Sequence, residues 1–192
     1  MYPLNKNSFK LALYDDFAFF LNTKTLVDKT VVQSTSREHP SMIRFTLKKN
    51  SRMIRDKLYS ISIDVENFPN LLPKYFKSII IKKSTDNEIF VDEKIHFLGS
   101  FLVVKTKHVI VHPRTHEIHI LSGLMRGSSF VESYDEISNG TNVTIDVSIK
   151  LNGVSKLLLP FEFLIKRQMA RVMDEFLDCA EKFVLDSSDS KN

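Results

Sequence analysis

Cysteine and tryptophan are almost missing from this chain of 192 residues, which has one Cys and no Trp. The single thiol, Cys179, excludes an internal disulfide and a zinc site built from several thiolates. We expect Cys179 to be an inert core residue, because it lies on an apolar helical stripe. The chain therefore fits a reducing compartment.

Long hydrophobic runs are also missing. A membrane-spanning helix needs about 20 mostly apolar residues, and no segment approaches that length. The apolar stretch at residues 11–21 is interrupted by Asp15 and Asp16 and lacks a small-residue cleavage site. We therefore expect neither a signal peptide nor a membrane span, and we expect a cytoplasmic protein.

The chain also lacks a block of charges of one sign. The 27 Lys and Arg residues are interspersed with 23 Asp and Glu residues, for a formal net charge of +4. This balance does not favour nucleic acid as a partner. The hydrophobic fraction of 43% is typical of a globular protein, and the length suits one domain with additional terminal residues.

Strand patterns dominate the chain from residue 41 onward. Apolar and polar residues alternate at residues 43–48, and six more strand-like runs lie within residues 75–151. The pairs Gly99-Ser100 and Asn139-Gly140 predict tight hairpins, the first of type II′. Between the first strand and the others we expect a short helix and a connection bent by two prolines.

A long amphipathic helix is predicted to begin near Phe161. Its apolar residues recur at steps of three or four: Phe161, Ile165, Met169, Val172, Phe176, Cys179 and Phe183. A single antiparallel sheet has one face to hide from water, and this helix is the element long enough to cover it. We therefore expect a cavity between the helix and the sheet.

The segment after the short helix carries a recognisable motif. Asp64, Phe68, Pro69 and Pro73 match an Asp followed by an aromatic-Pro pair and a second Pro. With the order of elements, the motif resembles the polyketide cyclase / coenzyme Q-binding branch of the START-like (SRPBCC) superfamily. The resemblance implies an α+β helix-grip fold, in which a seven-stranded antiparallel sheet curves around a long C-terminal helix.

The resemblance also suggests how the chain is divided. It covers the chain from about residue 41 to residue 185, so we predict a START-like helix-grip domain at residues 41–186. Residues 1–40 are interpreted as an N-terminal appendage of unknown role, and residues 187–192 as a polar tail. The family often has a Trp in its sixth strand, and this chain has none.

Strand parity selects polar side chains for the inner face of the sheet. If Val91 and Phe97 face the helix, then Glu93 does too, and Thr106 and His108 share the face of Val104. A bulge would instead turn these polar groups outward. The predicted ligand-binding residues are Glu93, Phe97, Val104, Thr106, His108, Leu124, Met125, Phe161, Ile165, Met169 and Met173.

Two features among the remaining residues allow more than one interpretation. Leu124 and Met125 lie between two glycines and form either a mobile apolar gate or an ordinary packed loop.

Four of the six His residues lie within residues 108–119. His116 and His119 would point to opposite faces of a strand, so we expect no metal and no other cofactor, and we place these His residues at strand ends and surfaces.

The leading functional hypothesis is non-catalytic binding or transfer of a hydrophobic small molecule, such as an isoprenoid quinone, a lipid or a polyketide-like compound. A transient membrane contact would accompany it. The first alternative is a cyclase or dehydratase in which Glu93 and His108 share proton transfers. The second is a ribosome- or RNA-binding module that uses Lys48, Lys49, Arg52 and Arg55.

Overall fold

The computed structural model describes residues 31–34 and 42–189, and within these ranges eight strands form one antiparallel sheet. The strands are β1 (Val31–Ser34), β2 (Met42–Ser51), β3 (Phe76–Ser84), β4 (Glu88–Phe97), β5 (Ser100–Val111), β6 (Thr115–Ile120), β7 (Ser129–Ile137) and β8 (Gly140–Lys150). Their order in the sheet is β1-β2-β8-β7-β6-β5-β4-β3. Strands β3 to β8 are therefore consecutive hairpins, and β2 pairs with the last of them.

The predicted seven-stranded antiparallel sheet is confirmed as β2 to β8. Strand β1 extends it at one edge, pairing with β2 so that Val31 lies opposite Lys48. This strand comes from the segment interpreted as an appendage, most of which lies outside the described residues. The proposed division at residues 40 and 186 stays a prediction.

The helices are α1 (Arg55–Ile63), α2 (Phe68–Leu71) and α3 (Glu162–Asp189), with 3₁₀ turns at Val65–Asn67 and Gly153–Phe161. Helix α3 has 28 residues and begins at Glu162, directly after the 3₁₀ segment, which contains Pro160 and ends at Phe161. In the described ranges, none of the helices has the length and hydropathy needed to cross a membrane.

Helix α3 lies against the inner face of the sheet and contacts residues near both of its edges. Asp174 on this helix pairs with Lys49 of β2. Glu175, the next residue, accepts a hydrogen bond of 3.2 Å from the hydroxyl of Tyr75, just before β3. Because β2 and β3 lie near opposite edges of the sheet, one helix can reach both only if the sheet curls around it.

The apolar stripe of α3 is partly as predicted. Ile165 is fully buried, Met169 and Phe176 are partly buried against the core, and Val172 is partly buried. The prediction is wrong at the two ends, because Phe161 is 38% exposed and Phe183 is 52% exposed. Phe161 belongs to the 3₁₀ turn rather than to the helix, so its direction does not follow the helical period.

The hairpin between β4 and β5 turns one residue earlier than predicted. Phe97 pairs with Ser100, so the turn residues are Leu98 and Gly99, with φ of 46° and 73°. Positive φ at both positions defines a type I′ turn rather than the predicted type II′ turn. Leu98 is buried, and its N–H donates to Oε1 of Gln168 on α3 at 3.0 Å.

Candidate functional site

A cavity of about 160 Å³ lies between the inner face of the sheet and helix α3. Its wall is mostly aliphatic and aromatic, with Phe68 and Leu72 of the Pro-containing motif at one side. Its other apolar residues come from every strand from β3 to β8 and from α3, for example Phe76, Ile118, Phe130, Val143 and Phe176. The expected cavity is therefore present.

The volume of the cavity limits what can occupy it. Typical ligand pockets measure about 300 Å³ or more, whereas a cavity of about 150 Å³ lined by apolar side chains holds one benzene molecule. The cavity in this conformation therefore matches a single ring. Met125, Met169 and Met173 line it, and their flexible side chains can change its shape.

Most of the predicted ligand-binding residues line the cavity. They are Glu93, Phe97, Val104, Thr106, His108, Met125, Met169 and Met173. Three others do not. Ile165 is packed in the solid core, Phe161 faces outward, and Leu124 has its carbonyl oxygen bound by Asn152 N–H at 3.0 Å and by the Ser155 hydroxyl at 3.1 Å.

Strand register explains why Glu93, Thr106 and His108 meet. Strands β4 and β5 pair without a bulge from Glu88 to Phe97, so the inward parity predicted for both strands holds. Glu93 Oε1 accepts a hydrogen bond from the Thr106 hydroxyl at 2.8 Å and lies 2.9 Å from His108 Nε2. These groups are buried, so the hydrogen bonds satisfy polar atoms that water cannot reach.

His116 is the main site residue that sequence reasoning placed wrongly. It was expected at a strand end or surface, but it has 0% exposure and lies directly behind the cavity wall. Its Nε2 lies 2.9 Å from His108 Nδ1, and its Nδ1 lies 3.1 Å from Glu132 Oε2. His108 is also buried, which agrees with its predicted inward parity and not with the alternative placement of the His cluster at strand ends and surfaces. The signal that could have found His116 is its alternation with Ile118 and Ile120, which share its face.

Tyr134 completes the polar side of the cavity. Its hydroxyl donates to Glu132 Oε2 at 3.0 Å. Burial, and secondly the negative charge of Glu132, raises the pKa of Tyr134 well above its ordinary value, although a hydrogen bond with Ser62 opposes this. Tyr134 therefore remains a hydrogen-bond donor at neutral pH.

Tyr75 and Glu175 tie the segment before β3 to helix α3 beside the cavity. Lys74 Nζ lies 2.8 Å from the other oxygen of Glu175, so this carboxylate holds two consecutive residues. Burial, and secondly the charge of Glu175, raises the pKa of Tyr75 to about 12.

The four side chains Glu93, His108, His116 and Glu132, here called the polar row, cross strands β4 to β7 in that order. Each member contacts the next rather than a common point. Among the residues that the structure describes, no group of three His, Cys, Asp or Glu side chains is arranged to hold a metal ion.

The predicted basic surface is partly neutralised by acidic groups. Lys49 pairs with Asp174, and Arg55 lies 2.9 Å from Asp56 and 3.8 Å from Glu136. Paired charges attract phosphate groups less strongly than free ones. The RNA-binding alternative stays a prediction and gains no support from this arrangement.

The curled antiparallel sheet, the long C-terminal helix and the cavity between them define a protein of the helix-grip class. Three solved structures of that class are similar to this chain. Zhui aromatase/cyclase from Streptomyces sp. R1128 matches with a TM-score of 0.66 at 12% identity, over 74% of this chain and 96% of its own. StfQ, the di-domain ARO/CYC from the steffimycin biosynthetic pathway, matches with a TM-score of 0.65 at 13% identity, over 78% of this chain and 52% of its own. Ara h 8.0201 matches with a TM-score of 0.59 at 18% identity, over 76% of this chain and 99% of its own.

These likenesses show the fold and nothing finer, because the identities are low. The chain matches about half the length of StfQ, which has two domains. No known family model and no curated protein sequence matches this chain.

Proposed function

We propose that this protein binds a hydrophobic small molecule in the cavity between the sheet and α3. The observation that carries the proposal is the cavity itself, an apolar space with one polar side formed by Glu93, Thr106, His108, Glu132 and Tyr134. Apolar pockets with a few convergent polar groups are the usual form of small-molecule sites.

The composition of the wall indicates the chemical class of the ligand. The aromatic and methionine side chains suit a flat ring, and the buried hydrogen-bonding groups suit a hydroxyl or carbonyl on that ring. A quinone or a polyketide-like ring therefore fits better than a long acyl chain, which would need a larger space. Zhui is an aromatase/cyclase and StfQ is a di-domain ARO/CYC, which supports a ligand that contains a ring.

Titration with a short-chain benzoquinone, a phenol and a fluorescent fatty acid, with native mass spectrometry of each mixture, tests the proposal. We expect saturable binding of the ring compounds at one molecule per chain. Val172→Phe fills the cavity from α3 and should weaken this binding by at least about tenfold. Val103→Phe is the matched control, because Val103 is 71% exposed on the outer face. Equal binding by both variants, or none by the native protein, would contradict the proposal.

A second candidate function is acid–base catalysis on the bound molecule. It is favoured by the 2.9 Å contact between Glu93 and His108, both of which line the cavity. General acid–base catalysis requires such groups within hydrogen-bond reach of the reacting atom. Glu93→Gln keeps the size of the side chain and removes its basicity, so it should retain ligand binding and abolish any conversion of the ligand.

A further inference from the structure

The polar row keeps its ring protons between its own members. Three contacts join its four side chains, at 2.9, 2.9 and 3.1 Å, and each requires one proton between its two heavy atoms. His108 and His116 each have both ring nitrogens inside these contacts. Neither ring therefore has an N–H group left to donate to a molecule in the cavity.

The two hydroxyl groups beside the polar row are also committed. Thr106 donates to Glu93 Oε1 at 2.8 Å, and Tyr134 donates to Glu132 Oε2 at 3.0 Å. A hydroxyl group has one proton, so neither residue can donate to a ligand without giving up its present acceptor.

The other two hydroxyl groups that line the cavity have acceptors as well. Ser62 donates to the carbonyl oxygen of Tyr59 at 2.8 Å, and Tyr75 donates to Glu175 Oε2 at 3.2 Å. The polar side of the cavity is therefore built from donors that already serve the protein.

Two further donors in the lining lie away from Glu93. Gln168 is held at the β4–β5 turn by the N–H of Leu98, which is about 16 Å along the strand from Glu93 at roughly 3.3 Å per residue. His96 is an odd number of residues from Glu93, so its side chain points to the opposite face of β4. There its ring lies 5.1 Å from the ring of Phe101.

Each carboxyl group of the polar row has one oxygen that no protein group contacts. Glu93 Oε1 and Glu132 Oε2 each take two contacts from neighbouring side chains. Within residues 31–34 and 42–189, no hydrogen bond reaches Glu93 Oε2 or Glu132 Oε1. Neither oxygen is sealed inside the protein, and both residues line the cavity. The polar atoms left for a ligand on this side are therefore acceptors.

Glu93 is the more enclosed of the two acceptors. Its side chain is 5% exposed, whereas that of Glu132 is 18% exposed. An acceptor that water reaches easily gains little from a ligand, because water already satisfies it. A ligand that displaces water from an enclosed acceptor must replace the lost donor or lose affinity.

We propose that Glu93 determines the specificity of the cavity, and that the ligand donates a hydrogen bond to Glu93 Oε2. This inference rests on the proposed binding function and narrows it. The ligand class is a ring-sized apolar phenol or alcohol, which includes the reduced form of a quinone. A ketone or an oxidised quinone would press its lone pairs against those of Oε2 in a buried site, which is unfavourable.

Titration of the whole chain with phenol, cyclohexanol and cyclohexanone, followed by ligand-observed NMR, tests the proposal. Cyclohexanol and cyclohexanone have similar size, and of the two only cyclohexanol can donate a hydrogen bond. We expect phenol and cyclohexanol each to bind at least about tenfold more tightly than cyclohexanone. Absence of binding by all three counts against the proposed function. Binding of cyclohexanone as tightly as cyclohexanol overturns the role of Glu93 and leaves the binding function standing.

Glu93→Gln should reverse the preference. The amide oxygen can keep the hydrogen bonds from Thr106 and His108, so the NH₂ group takes the place of Oε2 and donates into the cavity. Cyclohexanone should then bind at least as tightly as cyclohexanol. Glu117→Gln is the matched control, because Glu117 pairs with His119 and does not line the cavity. A folded Glu93→Gln protein that still prefers cyclohexanol tenfold, or the same reversal in Glu117→Gln, overturns the proposal.

A crystal structure of the native protein with phenol covers the case in which Glu93→Gln does not fold. We expect the phenol oxygen to lie about 2.5–3.0 Å from Glu93 Oε2. A phenol oxygen placed among the apolar side chains, or beside Glu132 or Gln168 instead, overturns the proposal.

Discussion

At the scale of single residues, Gly140 shows how tightly two segments approach. A Cβ at this position would lie 2.0 Å from the carbonyl oxygen of Ser51, and the φ of Gly140 is 134°. No side chain fits without moving the backbone of β2 or β8. The contact explains why the chain has glycine where β8 begins.

Gly140→Ala should therefore lower the free energy of unfolding by at least about 2 kcal/mol, from overpacking and backbone strain together. Urea denaturation of the purified variant measures it. Gly153→Ala is the control, because Gly153 also has a positive φ but no atom lies within 4 Å of the added Cβ. If Gly140→Ala loses no more stability than Gly153→Ala, the backbone around Ser51 must move away from the added Cβ at little cost in free energy.

Thr106 illustrates the difference between buried and exposed hydrogen bonds. Its hydroxyl donates to Glu93 inside the core, whereas the Thr46 hydroxyl donates to Asp146 at 2.6 Å on the surface. Both residues lie on strands, so the same substitution can be made at both sites.

Thr106→Val should cost about 1–3 kcal/mol of stability, because it leaves a buried carboxylate oxygen with fewer donors. Thr46→Val should cost less than about 1 kcal/mol, because water replaces the lost partner. Thermal and urea unfolding of the two variants at neutral pH give the comparison. Equal losses would show that His108 Nε2, 2.9 Å from Glu93 Oε1, satisfies this oxygen without the Thr106 hydroxyl.

At the scale of elements, helix α3 holds the β4–β5 hairpin through one buried amide. Gln168 is 7% exposed, and its Oε1 accepts the N–H of Leu98, which has an unusual positive φ for a leucine. The side chain thus supports a turn that would otherwise have an unpaired backbone group.

Gln168→Leu should lower the free energy of unfolding by about 1–3 kcal/mol. The amide hydrogen of Leu98 should also exchange with solvent faster, and hydrogen-exchange NMR can detect this at that one residue. Gln168→Glu keeps an acceptor at the same place and should protect the amide better than Leu does. Unchanged exchange in Gln168→Leu would show that another group pairs with Leu98.

At the scale of the whole molecule, buried tyrosines connect stability to alkaline pH. Tyrosine in an unfolded chain has a pKa near 10. In the folded protein burial raises the pKa of Tyr75 to about 12, and burial raises that of Tyr134 well above 10. Above about pH 10 the unfolded state has therefore lost protons that the folded state keeps.

Stability should consequently be independent of these groups below pH 10 and should fall as the pH rises from about 10 to 12. Urea midpoints measured between pH 9 and 12 give the slope. Tyr134→Phe should flatten it more than Tyr75→Phe, because Tyr75 is less buried. A slope that is the same in all three proteins would contradict the assignment to tyrosine.

Much of the architecture follows from local patterns. Apolar alternation predicts β2 to β8, and the helical period predicts α3, because both patterns are set by the backbone geometry of a single element. The same parity placed Glu93, Thr106 and His108 on the inner face, where the structure has them. The His116–Glu132 contact was not predicted, because it depends on how β6 and β7 align.

The sequence alone determined the order of the elements, the inward direction of the alternating strand residues and the presence of one helix to cover the sheet, since these depend on neighbours along the chain. Only the tertiary structure decided that His116 joins His108 to Glu132, which residues of α3 reach the cavity, and that the cavity measures about 160 Å³. Those features arise where side chains from distant segments pack against each other, and small shifts in strand register or helix rotation change them completely.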